Sequence, residues 1–269
     1  MNNLLAKPWK IFFLLLPRHP YILRQCRRYC NDYLGENEGD MRYNGELFFV
    51  KTQLEDCRVV FDVGANEGKW TEEVLRMKSN LEVHCFEPSP SIFARLQQRL
   101  RFPNVHLVQK GLSADEEERA FFPEEISVYQ GFGVGHTTTT RTGVVTETVS
   151  LTTLSNYIKE NNVQRVDLMK LDVEGHELQV LRGGLTDFKT GRIKRLYFEY
   201  HGTFIKSGIF LRDIFMLFEG LDYRFYKLMP DHLQRVEAYD YRLENFQFKH
   251  FAVIHSSVPE KGEVRPLEL

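Results

Sequence analysis

Two kinds of apolar pattern alternate along the chain. Short dense blocks rich in β-branched and aromatic residues, VVFDV from Val59, LEVHCF from Leu81, NVHLV from Asn104, VDLMKL from Val166 and RLYFEY from Arg195, have the composition of buried parallel strands. Between them apolar residues recur at three- and four-residue spacing. TEEVLRM, with Thr71 as N-cap, is one such helix, SIFARLQQRLRF with Ile92, Phe93, Leu96 and Leu100 inward is another, and Thr152 to Lys159 and Ile209 to Leu221 follow. This order predicts an α/β domain on a mostly parallel sheet. DYRFYKLM and FQFKHFAVIH then predict two strands that close the sheet antiparallel. The connecting stretches are less regular. A hairpin or short strand pair is expected around Leu47 to Val50, a loop at Gly111 to Ser113, a solvated acidic turn after it, and a frayed polar tail SSVPEKGEVRPLEL. Residues 131–150, rich in Gly and Thr, predict a loop leading into an edge strand, as a lid or as plain surface.

Chemistry gathers where the dense blocks stop. The first ends in Gly64-Ala65-Asn66-Glu67-Gly68, a glycine turn between strand and helix that would aim backbone N–H groups at a ligand. Its spacing is G-x-x-x-G, not the G-x-G-x-x-G of a dinucleotide-binding oxidoreductase. The second ends in Glu87, 25 positions after Asp62, where an open sheet places a carboxylate for ribose hydroxyls. The bland alternative is a solvated acid. The loop Gly111-Leu112-Ser113 lies where it would line a base. The fourth block runs into Asp172, Glu174, His176 and Glu177 around Gly175, and the fifth into Glu199 and His201. If these strands are parallel neighbours, the groups share one rim, with His176 and His201 as candidate proton acceptors. Asp172, Glu174, His176, Glu199 and His201 are equally a candidate set for a divalent ion, and a lone histidine is often only a hydrogen-bonded structural residue.

Composition narrows the class. With 42% hydrophobic and 13% aromatic residues among 269, the chain is not disordered, and a net charge of −2 gives no electrostatic case for nucleic acid. The charge is uneven: residues 1–30 carry six basic groups and no acid, so the remainder is −8. Ile11 to Leu16 is too short to span a bilayer. Trp9, Phe12 and Phe13 among lysines and arginines predict either a peripheral membrane contact through residues 1–30 or a helix packed on the domain, the second being favoured. Cys26, Cys30, Cys57 and Cys85 show no C-x-x-C pairing and predict free thiols in a reducing, cytoplasmic setting, at the membrane surface if the N-terminal segment binds lipid.

FDVGANEGKWT, CFEPSP, KGLSADEEE and VDLMKLDVEGHELQVLRGG followed by FEYHG, in that order from about residue 45 to 255, resemble the FkbM-type methyltransferases. Glu67 and Lys69 depart from the smaller or apolar residues many relatives carry. The resemblance implies a Rossmann-like class I methyltransferase fold: a seven-stranded, mostly parallel sheet of order 3-2-1-4-5-7-6 with helices on both faces; the N-terminal helical extension before it lies outside the resemblance and is read from its own residues. The expected domains are 1–44 extension, 45–258 methyltransferase and 259–269 tail. It implies S-adenosylmethionine as donor and O-methylation of a hydroxylated small molecule, natural product or glycan. Asp62, Gly64, Ala65, Asn66, Gly68, Glu87, Gly111, Leu112, Ser113 and Asp172 would then hold the cofactor. Asp172, Glu174, His176, Glu199 and His201 would face the acceptor. A non-catalytic membrane-surface scaffold that keeps the pocket is the alternative, with a nicotinamide oxidoreductase behind it.

Overall fold

The computed structural model describes residues 19–122, 131–132 and 147–267. Its main sheet has nine strands. From one edge inward they are β3 (Val105–Val108), β2 (Glu82–Phe86), β1 (Val59–Val63), β8 (Leu168–Leu171) and β9 (Arg195–Tyr200), all parallel. β12 (Lys249–His255) follows antiparallel to β9, then β10 (Tyr223–Leu228) antiparallel to β12. These seven keep the expected order 3-2-1-4-5-7-6. The sheet then continues through β11 (Leu233–Val236) to β13 (Val264–Pro266), so the predicted seven-strand limit is corrected to nine. The expected frayed tail is corrected with it: Val264–Pro266 pairs parallel with Leu233–Arg235.

Successive side chains of a strand point to opposite faces, and β1 shows how this divides the core. Phe61 and Val63 join one apolar cluster with Met169, Leu171 and Phe198, while Val60 joins the other with Val83, Leu168 and Tyr197. Helices cover both faces, so the central strands are buried on two sides and lack a polar alternation.

Several local expectations change. The block around Leu47 to Val50 is a helix, Glu46–Gln53, not a hairpin. Its buried residues Glu46, Phe49, Val50 and Gln53 follow helical spacing, and two of them are polar because the sheet offers partners. The Tyr197 hydroxyl donates to Glu46 (2.7 Å) and Arg195 donates to Gln53 (3.0 Å). Gly111–Ser113 is a strand, β4, not a loop. It belongs to a second, four-stranded sheet with β7 (Glu147–Thr153), β5 (Glu117–Phe122) and β6 (Gly131–Phe132). The acidic stretch expected as a solvated turn therefore supplies β5. Most of residues 131–150, and with it the candidate lid, lies outside the described residues. So do residues 1–18. With them lie Trp9, Phe12 and Phe13, on which the choice between membrane contact and packed helix rests; the helix Pro20–Tyr33 leaves Tyr21, Leu23, Tyr29 and Tyr33 exposed. Among the described residues no helix is long and apolar enough to cross a membrane. Cys26 and Cys30 are exposed thiols, and Cys57 and Cys85 are buried ones.

Candidate active site

A cleft of about 690 Å³ opens at the carboxyl ends of β1, β2 and β8. Val63, Phe86, Ile92, Leu112 and Phe121 give it apolar walls, and Gly64, Asn66, Glu87, Asp172 and Glu174 give it polar ones. A second hollow adjoins it through Gly64, Asn66 and Asp172, and adds Ala65, Trp70 and Lys170. This is the switch point of an open α/β sheet, where ligands bind.

The turn after β1 is built differently from the expectation. Gly64 and Ala65 donate their N–H groups to the Phe86 carbonyl (3.0 and 2.9 Å), and Asn66, at φ 48°, donates its own to Glu87 Oε2 (3.1 Å). These donors tie the turn to the end of β2 and are not held ready for a ligand. The glycines serve packing too. A Cβ on Gly64 would stand 1.8 Å from the Asp172 carbonyl oxygen, and one on Gly68 2.7 Å from Leu96. Gly68, at φ 81°, caps the helix Lys69–Met77, so Thr71 is not the cap. Thr71 lies one turn inside and donates its hydroxyl proton to Asp62 Oδ2 (2.6 Å).

Glu87 closes one end of the cleft. It is buried, and its two carboxylate oxygens accept N–H groups from Ser89 (2.9 Å) and Asn66. Burial raises its pKa to about 7, against the pull of those two backbone donors.

At the other end lies a chain of charged groups. Lys170, a lysine within an otherwise apolar strand, reaches Asp172 (2.9 Å) and Asp62 (3.8 Å). Burial opposes its charge, but the two carboxylates outweigh burial and raise its pKa. Asp172 would be raised by burial alone, and Lys170 holds it below the usual range. Glu199 shifts the opposite way: burial, then the neighbouring Asp172 and Glu174, push its pKa well up. A side-chain hydrogen bond joins it to Asp172, and the two carboxyls shift in opposite directions. His201 completes the group, its Nε2 at 3.0 Å from Thr203 Oγ1, 3.3 Å from Glu199 and 3.4 Å from Glu174. Asp172, Glu174, Glu199 and His201 keep side-chain exposures of 30, 35, 14 and 21%, enough to meet a ligand from the rim. Glu174 sits at φ 55°, an uncommon conformation for a non-glycine and one that concentrates at functional sites.

Not every expected residue joins. Asp62 is wholly buried behind the turn, where it holds Thr71 and Lys170 and leaves Oδ1 without a hydrogen bond. Ser113 and His176 bond each other (3.0 Å) beneath β4, and burial lowers the His176 pKa to about 4. Neither is among the residues that line the cleft. The proposed metal set does not converge either. Among the described residues the donor atoms that come within metal-binding reach of one another are those of Glu82, His84 and His106, at the far end of β2.

Sequence reasoning missed Lys170. Its signal was a cation in the middle of a buried strand, a position that demands acidic partners. Replacing Lys170 by methionine should leave Asp62 and Asp172 buried without their cation and cost about 3 kcal/mol of stability, read as a lowered urea midpoint.

Residues 62–243 match the family model described as the methyltransferase FkbM domain, which is more than half of the chain. The chain is 31% identical over 144 residues to the hexuronic acid methyltransferase AglP of Haloferax volcanii, covering 52% of this chain and 56% of that protein. It is 30% identical over 177 residues to the 31-O-demethyl-FK506 methyltransferase FkbM of Streptomyces tacrolimicus, covering 55% and 67%. The match thus spans little more than half to two thirds of these relatives. Among solved structures it is similar to the precorrin-6y C5,15-methyltransferase of Geobacter metallireducens, with a TM-score of 0.42 and 13% identity over 79% of this chain and 88% of that one.

Proposed function

Because the chain belongs to the FkbM methyltransferase domain family, we propose that it methylates a hydroxyl on a sugar, glycan or natural product, with S-adenosylmethionine as donor. One observation carries this reading: a single cleft has a buried carboxylate, Glu87, at its closed end and an acid and imidazole cluster at its rim. The relatives named for a hexuronic acid and for FK506 support a hydroxylated acceptor.

The residues fit such a cofactor. Apolar walls from Phe86, Ile92 and Leu112 suit an adenine, Glu87 suits ribose hydroxyls, and the carboxylates Asp172 and Glu174 suit a cation. When bound, S-adenosylmethionine supplies a methyl group made electrophilic by its sulfonium. His201 is the base. Its Nε2 bonds the Thr203 hydroxyl and lies within ion-pair distance of Glu174 and Glu199, so with the proton on Nε2 it is Nδ1 that takes the acceptor's proton as the oxygen attacks. Glu174 then balances the imidazolium. Lys170 and the side chain of Glu199, both hydrogen-bonded to Asp172, keep that carboxyl fixed while the charge moves.

Calorimetry with S-adenosylmethionine, its demethylated product and NAD tests the donor. Binding of the first two and not the third is expected; NAD binding, or none, overturns the reading. Labelled donor offered with glycans, lipids and small hydroxylated metabolites tests the acceptor, and label confined to a protein fraction would exclude the sugar.

Glu87 gives the site a pH signature. Its folded pKa of about 7 lies above its ordinary 4.5, so the unliganded fold binds the extra proton. That contribution to stability is present below pH 4.5 and is lost as the pH rises to about 7. Ribose hydroxyls are accepted by the carboxylate. Cofactor affinity should therefore rise with pH up to about 7, with proton release visible as buffer-dependent binding enthalpy below it. Glu87→Gln should abolish the proton release and weaken binding by roughly 10–100-fold.

A further inference from the structure

A second cluster lies at the opposite end of the sheet from the cleft. Glu82 opens β2, His84 is two residues on and so on the same face, and His106 on β3 is the register partner of His84. Glu82 Oε1 sits 3.2 Å from His84 Nε2 and 3.3 Å from His106 Nε2, and the three donor atoms lie within 4.8 Å of one another. Zinc bonds of about 2.0–2.1 Å in tetrahedral geometry place neighbouring ligands roughly 3.3 Å apart. Both carboxylate–imidazole separations already have that length.

The surroundings are those of a supported ligand. His84 is buried, and its other ring nitrogen, Nδ1, lies 2.7 Å from the Tyr157 hydroxyl. A metal-bound imidazole commonly has such an outer partner, which fixes the ring and its tautomer. His106 is half-exposed and stacks on His84 at 4.5 Å between centroids, 19° from parallel, which holds its Nε2 on the same side as that of His84, beside Glu82. Glu82 is exposed and leaves the remaining positions to water. We propose that Glu82, His84 and His106 form a zinc-class divalent cation site that clasps the edge strand β3 to β2. The site is independent of the methyl-transfer reading, since Glu82 and the cleft stand at opposite ends of β2, about 15 Å apart.

The test is titration of zinc chloride into the full chain carrying C26S and C30S, which removes the exposed thiols as competing ligands. One zinc per chain is expected, with a rise in melting temperature. Tyr157→Phe should weaken binding about tenfold. His106→Ala should weaken it further, beyond the roughly 10–100-fold typical of an outer partner, and should abolish the thermal shift. His106 is half-exposed, so this variant should fold, and its far-ultraviolet circular dichroism checks that. Absence of saturable binding, or equal affinity with and without His106, overturns the site.

Discussion

Replacing His201 by alanine is expected to lower kcat by roughly 10²–10⁴-fold and to leave the affinity for S-adenosylmethionine unchanged. The imidazole is placed by three partners on one nitrogen, Thr203 at 3.0 Å, Glu199 at 3.3 Å and Glu174 at 3.4 Å, on the rim beyond the walls of the cofactor cleft. A residue that only supported the fold would change stability and cofactor binding together. A base would change the chemical step alone, and added imidazole should restore part of the rate. His176 is the internal comparison. It is buried, its Nε2 is 3.0 Å from the Ser113 hydroxyl, and it is not among the residues that line the cleft. His176→Gln should therefore leave kcat close to the parent value in the same assay. An unchanged kcat in His201→Ala, or a large loss in His176→Gln, would reverse the assignment.

Strands β1, β2, β8 and β9 could be located because both their faces are buried and their apolar runs end in glycine or acid. Glu87 could be placed because a strand end fixes a side chain's position without further packing. The histidines could not be separated, because both follow parallel strands into the same rim. Which one meets the acids depends on the partner each finds, Ser113 for His176 and Glu199 for His201. Lys170 was hidden for a related reason: its value comes from Asp62 on the neighbouring strand and from Asp172. The helix Glu46–Gln53 resembled a strand because LFFV is apolar and β-prone, and its helical face appears only when Glu46 and Gln53 are counted as buried. The second sheet escaped because its strands β4 and β5 are short or polar and are defined by their pairing with β7.

Gly64→Ala should be the most damaging single-methyl change in the turn, costing about 5 kcal/mol, a large part of an ordinary domain's stability. Two effects add. The residue sits at φ 84°, a conformation that L side chains rarely adopt, and its added Cβ would meet the Asp172 carbonyl oxygen at 1.8 Å. That oxygen has nowhere to retreat. The Asp172 N–H is bonded to the Val63 carbonyl (3.0 Å), and its side chain is bonded to Lys170, so moving it would part β8 from β1 and disturb the ion-pair chain at once. Gly68 is the informative contrast. Its φ is also positive, at 81°, but the atoms its Cβ would meet belong to the side chains of Leu96 and Leu100, which can turn aside. Gly68→Ala should cost about 2 kcal/mol, and Gly202→Ala, where no atom lies within 4 Å of the added Cβ, should cost little. Urea unfolding of the three variants gives the order directly. If Gly64→Ala were no worse than Gly68→Ala, the close approach of β8 to the turn, on which the geometry of Asp172 depends, would not exist.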